Sequence, residues 1–198
     1  MTRVVHPIEA ESYEILRSRV DTSAFASLTR AVVERVIHST ADVSLVDDMV
    51  CDEVTLTVAA EALRGGARIV ADVAMVAAGI TTRPVVSLVA SPEAAQLAAS
   101  AGITRSAAAV RLALAQVGPG AVWAIGCAPT ALLELIALAD AAAPVLVVGV
   151  PVGFVGAVES KEALRASGLP SVSNRSEKGG SSMAAAVVNA LLYAEESS

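Results

Sequence analysis

Residues 121–149 read AVWAIGCAPTALLELIALADAAAPVLVVG. A short apolar run at 121–125, rich in β-branched residues, stops at Gly126, and a second run at 144–149 lies between Pro144 and Gly149. Between them 129–141 carries apolar positions at helical spacing. Two buried strands joined by a helix run parallel with a right-handed crossover. The same rhythm extends outward from this unit. Apolar runs at 68–72, 84–89 and 170–173 supply three more strands, and 92–101, 104–117, 158–168 and 180–194 supply helices. An amphipathic helix over 52–63 ends at Gly65-Gly66 and leads into the first strand. Upstream, 9–20 and 25–38 form a helical pair joined by the Asp21-Thr22-Ser23 turn. The expected fold is α/β: a three-layer α/β/α sandwich with a mainly parallel, five-stranded Rossmann-like sheet and an N-terminal helical pair. Ligands of such sheets bind beyond the carboxyl ends of the strands, which directs attention to the residues after Asp72, Ile125, Gly149 and Ser173.

Composition bounds the function. The 198 residues are 55% hydrophobic, enough for a substantial core, and no repeat or composition break divides them, so a single domain over 1–198 is expected. No apolar run approaches the roughly 20 residues a membrane helix needs. The opening Met1-Thr-Arg-Val-Val-His-Pro-Ile-Glu9 has no apolar stretch and does not read as a secretion signal. A soluble, cytoplasmic protein without a membrane partner is expected. A formal charge of −6, two lysines and no basic stripe argue against nucleic acid, and five aromatic residues make a poor base-stacking platform. A flat ligand would rest mainly on aliphatic walls. Cys51 and Cys127 lack CxxC spacing, which predicts two buried free thiols and neither a zinc site nor a disulfide.

Few motifs carry chemistry by themselves. Gly149-Val-Pro-Val-Gly153-Phe-Val-Gly156 follows a strand but lacks GxGxxG spacing, and Lys178-Gly-Gly-Ser181 opens a helix without the pattern of a nucleotide-phosphate loop. No GxSxG elbow or His/Cys/Asp cluster is present, so no metal is expected. His38 closes a helix in Glu34-Arg-Val-Ile-His38-Ser-Thr, and histidine suits proton exchange near neutral pH. His6 stands beside Pro7 with no chemical role. From the residues alone, a ligand-binding α/β enzyme follows, but no reaction.

His38-Ser-Thr-Ala-Asp42, Gly102-Ile-Thr-Arg105-Ser-Ala-Ala108, Ala128-Pro-Thr-Ala-Leu132 and the string GVPVGFVGAVESKEAL at 149–164 together resemble the precorrin-8X methylmutase family. The likeness runs in order from about His6 to Tyr193 and includes Lys178-Gly-Gly-Ser181 with Asn189-Ala-Leu-Leu192. It implies a homodimeric isomerase that converts the corrinoid precorrin-8X to hydrogenobyrinate by moving a methyl group from ring carbon 11 to ring carbon 12. The family's general acid maps onto His38, and its substrate-binding residues onto Ser12, Arg35, Thr81 and Arg105; no cofactor is implied. Arg35 stands one helical turn before His38 and shares its face. Three departures from the family pattern stand out: Cys127 replaces a frequent asparagine, the 79–92 segment is short, and Ser176-Glu177 precede Lys178 where Gly-Arg is common. The cobalt-containing form of the substrate is the alternative within the class, with the metal-free form favoured. A non-catalytic tetrapyrrole carrier is the alternative outside it, and His38 argues against that because a carrier needs no acid.

Overall fold

The structure, a computed structural model, describes residues 6–194. Met1 to Val5, part of the opening read for a secretion signal, and Glu195 to Ser198 lie outside the described residues. In chain order the elements are α1 (Pro7–Arg19), α2 (Ser27–Thr40), α3 (Leu45–Asp48), β1 (Met49–Val50), α4 (Glu53–Arg64), β2 (Ile69–Ala71) and α5 (Ala74–Gly79). They continue with β3 (Val85–Val86), α6 (Pro92–Ala101), α7 (Arg105–Val117), β4 (Val122–Ile125), α8 (Pro129–Ala137) and α9 (Ala139–Ala142). β5 (Leu146–Gly149), α10 (Ala157–Ala166), β6 (Ser171–Asn174) and α11 (Ser181–Ala194) complete the chain.

The strands form one sheet in the order β1-β6-β5-β4-β2-β3, parallel except at its edge. This sheet has six strands where five were expected. The added β1 pairs antiparallel with β6 through Met49–Asn174 and Val50–Ser173. Two residues carry no period, so nothing in the pattern marks them as a strand. The expected 129–141 helix breaks at Leu138 into α8 and α9, and the short α3 and α5 were not foreseen.

The central strands are buried on both faces because helices cover both, and their side chains alternate between two cores. Val122, Ala124, Leu146, Val148 and Val150 join the core shared with α2, α4 and α11. Val70, Trp123, Ile125 and Val147 join the one under α7, α8 and α10. The N-terminal pair extends the first layer, with α1 on α2 and α2 against α11.

Candidate active site

Strand order reverses between β2 and β4, where an open α/β sheet usually places its ligand crevice. Here that crevice is filled from within. Asp72, at the end of β2, is 2% exposed and accepts hydrogen bonds from the backbone N–H groups of Gly126 (3.0 Å), Cys127 (2.8 Å) and Ala128 (2.9 Å) ahead of α8. Burial pushes the Asp72 carboxyl above its ordinary range even though these donors pull it down. Amides that would cradle a phosphate in a nucleotide-binding relative are already engaged. Cys127, expected to be buried, is exposed, because its backbone rather than its side chain is drawn toward Asp72; Cys51 is half-buried. Burial and the nearby Asp72 charge both raise the Cys127 thiol.

The chemistry gathers instead in the layer of α1, α2, α5 and α11. α2 presents Val32, Val33, Val36 and Ile37 to the core, which turns Arg35 and His38 sideways toward α1 and α11. Ser12 Oγ, on α1, lies 2.9 Å from His38 Nδ1. Tyr13 stacks on the imidazole with 4.9 Å between ring centroids and 7° between planes. The ring is therefore held in plane and at one nitrogen, and Nε2 has no hydrogen-bond partner among the described residues. Arg35 is not a solvated surface charge, since its side chain is only 17% exposed. It pairs with Glu9 at 3.5 Å and sits 4.3 Å from the centre of the Tyr193 ring.

Glu34, immediately before Arg35 in sequence, also lines the groove side of α2 and is 3% exposed. Arg17 grips it through Nε and Nη2, at 3.1 and 2.7 Å, and the Thr22 hydroxyl donates to it at 2.5 Å. Burial would raise this carboxyl, but the hydrogen bonds from Arg17 and Thr22 hold it below its ordinary range. The clamp fastens α1 to α2 and so sets the Ser12–His38 distance.

Two spaces adjoin this cluster. A cavity of about 210 Å³ is walled by His38, Ser39, Gly79, Ser182, Ala185, Ala186, Asn189 and Arg35. Beside it a groove of about 600 Å³ runs between α1, α2 and α11, with Arg35 in its wall as well. Ser182, Ala185, Ala186 and Asn189 form one face of α11 by their spacing. Gly79 lets α5 approach α11 at the cavity wall, since a Cβ there would come within 2.7 Å of the Ala185 Cβ.

The five residues named from sequence divide. The structure brings Ser12, Arg35 and His38 together. Thr81 lies exposed two residues beyond Gly79 and lines neither space. Arg105 is the exposed first residue of α7, and its side chain makes no hydrogen bond or ion pair among the described residues. A lone arginine at a helix start opposes the helix dipole, and an anion bound nearby would relieve it.

The family model of precorrin-8X methylmutase, CbiC, matches residues 7–194. The chain belongs to the precorrin-8X methylmutase family. It is 40% identical to the cobalt-precorrin-8 methylmutase of Salmonella typhimurium over 94% of this chain and 93% of the relative. It is 38% identical to the precorrin-8X methylmutase of Pseudomonas aeruginosa over 96% and 95% of the two chains. The crystal structure of the precorrin-8X methylmutase from Thermus thermophilus superposes with a TM-score of 0.87 at 35% identity, covering 96% of both chains. As a methylmutase the protein is an isomerase, an enzyme that relocates a methyl group within one molecule. No helix among the described residues is long and apolar enough to cross a membrane. No group of three or more His, Cys, Asp or Glu among them is placed to hold a metal ion.

Sequence reasoning did not single out Tyr13, Glu34 or Asp72 for these tasks, nor Asn189 as a cavity residue. The available signals were local: an acidic residue inside the apolar face of a helix, an aspartate ending a buried strand, and one amide in an alanine-rich helix.

Proposed function

We propose that the chain isomerises a precorrin-8 corrinoid, moving the methyl group from ring carbon 11 to ring carbon 12, with His38 as general acid. The observation that carries this reading is the Ser12–His38 contact beside the cavity that His38 helps to wall. In the imidazolium, Nδ1–H donates to Ser12 Oγ and Nε2–H is free to protonate the macrocycle. Once that proton has left, Ser12 keeps the remaining one on Nδ1, so the Nε2 lone pair is ready to take the proton back. A protonated macrocycle is electron-poor, which lowers the barrier to a 1,5 methyl shift. The reaction consumes no electrons and no second substrate, so it needs no organic cofactor. A positioned acid supplies about two to four powers of ten in rate, and immobilising the ring supplies the rest.

The cavity admits one edge of the macrocycle, and the wider groove receives what extends past it. Arg35, Arg105 and Thr81 are assigned to the peripheral carboxylates of the substrate; local donors must do this because the protein as a whole is acidic. The active form is a cytoplasmic homodimer. Metal-free precorrin-8X is the favoured substrate, although relatives of both names stand at nearly equal identity. The test is to mix the enzyme with precorrin-8X and with its cobalt form and follow the absorption spectrum, since migration rebuilds the conjugated path. Conversion of the metal-free form at the higher kcat/KM is expected. No spectral change with either form would overturn the assignment.

A further inference from the structure

Asn189 is the polar residue in the apolar stretch AAAVVNALL at 184–192 of α11, and it is 7% exposed. Its Nδ2 donates to the Gly79 carbonyl at 2.8 Å. That bond fixes the orientation of the amide, because a carbonyl can only accept and so must face the NH2 end. Oδ1 is thereby turned elsewhere, and it is buried without a hydrogen-bond partner among the described residues. Such an orphan costs stability comparable to a lost hydrogen bond, and the residue that carries it is among those that wall the His38 cavity. The other charged or titratable groups in that wall are His38 itself and Arg35.

We propose that Asn189 Oδ1 is a catalytic acceptor: it receives the N–H that His38 creates on a ring nitrogen of the macrocycle, and so stabilises the cationic form that undergoes the methyl shift. The role rests on the isomerase reading above. In the step, the Nε2–H bond of the imidazolium breaks, a ring N–H bond forms, and the positive charge passes from His38 to the macrocycle. Asn189 gains or loses no atom. It supplies the negative end of a fixed dipole where positive charge develops, which is how a preorganised amide stabilises a charged state. No donor among the described residues occupies this acceptor, so its stabilisation is spent on the protonated state rather than on the substrate as it arrives.

Asn189→Leu keeps the approximate volume and removes the acceptor; Asn189→Asp keeps an oxygen there. The expected result for the leucine variant is a kcat lower by about ten- to a hundredfold, the factor one charge-assisted hydrogen bond carries, with KM little changed. The aspartate variant should recover most of that loss. A second measurement does not depend on turnover: hydrogenobyrinate bound to His38→Ala is titrated by absorption, with and without Asn189→Leu. The midpoint for ring protonation should fall by about one pH unit when Asn189 is lost, a tenfold change in that equilibrium. An unchanged midpoint, or equal activity losses in both Asn189 variants that track their stability, would overturn the proposal. A wild-type enzyme that converts neither precorrin would instead remove the isomerase reading, whereas full activity in Asn189→Leu beside an active wild type removes this role alone.

Discussion

His38 differs from an ordinary helix-terminal histidine in having one ring nitrogen engaged, one face covered and its other nitrogen without a partner among the described residues. Replacing it by alanine should lower turnover by about two or more powers of ten while leaving folding and spectral binding of the corrinoid intact. Near-normal turnover would remove it from the chemistry. Ser12→Ala keeps the imidazole but frees its tautomer, so a smaller fall in kcat, about tenfold, is expected with little change in KM. Arg105→Ala should weaken corrinoid binding by roughly 1.5–3 kcal/mol if it holds a carboxylate, read by calorimetry. Unchanged affinity in a folded variant would contradict that role. His38 and Arg35 could be placed on one face from helix spacing alone. Their link to Ser12, 26 residues earlier, depends on how α1 crosses α2, which no local pattern encodes; only the family resemblance named it.

Among the elements, the segment between β6 and α11 is the most heavily anchored. Lys161 on α10, fully buried, donates to Asn174 Oδ1 at 3.0 Å, to the Lys178 carbonyl at 2.8 Å and to the Ser176 carbonyl. Asp48 accepts from Asn174 Nδ2, the backbone N–H groups of Arg175 and Ser176, and the Ser176 hydroxyl. The Gly149–Leu164 string thus owes part of its regularity to holding a loop. Lys161→Met removes a donor from three acceptors and should cost about 2–4 kcal/mol in urea unfolding. A loss under about 1 kcal/mol would show the anchor to be dispensable. At the end of this loop Lys178 Nζ reaches Asp42 Oδ2 at 2.7 Å and Ser44 Oγ at 2.7 Å, tying it to the turn just beyond His38. The Lys178 and Ser44 hydrogen bonds bring the Asp42 carboxyl from 3.8 down to about 2. Because the folded-state value is the lower one, this tie stabilises the fold above about pH 4 and its contribution is lost as pH falls toward 2. Stability measured across that range should decline less steeply in Asp42→Asn than in the wild type; parallel curves would count against the tie. The repeating strand and helix pattern made all five long-pattern strands legible in the sequence. It could not show β1, whose two residues become a strand only because β6 offers an edge, nor the break at Leu138, where apolar spacing continues across a change in backbone direction.

For the molecule as a whole, the sheet and its two helical layers put the reactive cluster beside the usual crevice of an α/β fold, since Asp72 seals the crevice itself. The groove between α1, α2 and α11 is open along its length, and elsewhere Phe154 and Val155 project with 94% and 89% of their surface exposed. Sedimentation should show a two-fold symmetric dimer at working concentration, the commonest closed assembly; a fully active monomer would contradict it. The central claim is methyl migration within one corrinoid molecule. It is tested most directly with precorrin-8X carrying a carbon-13 label in the methyl at ring carbon 11, followed by NMR during a single turnover. The account predicts that the label moves quantitatively to ring carbon 12 in the same molecule, with no exchange into unlabelled substrate present alongside. A label that stays on carbon 11 while the enzyme turns over, or that scrambles between molecules, would contradict it.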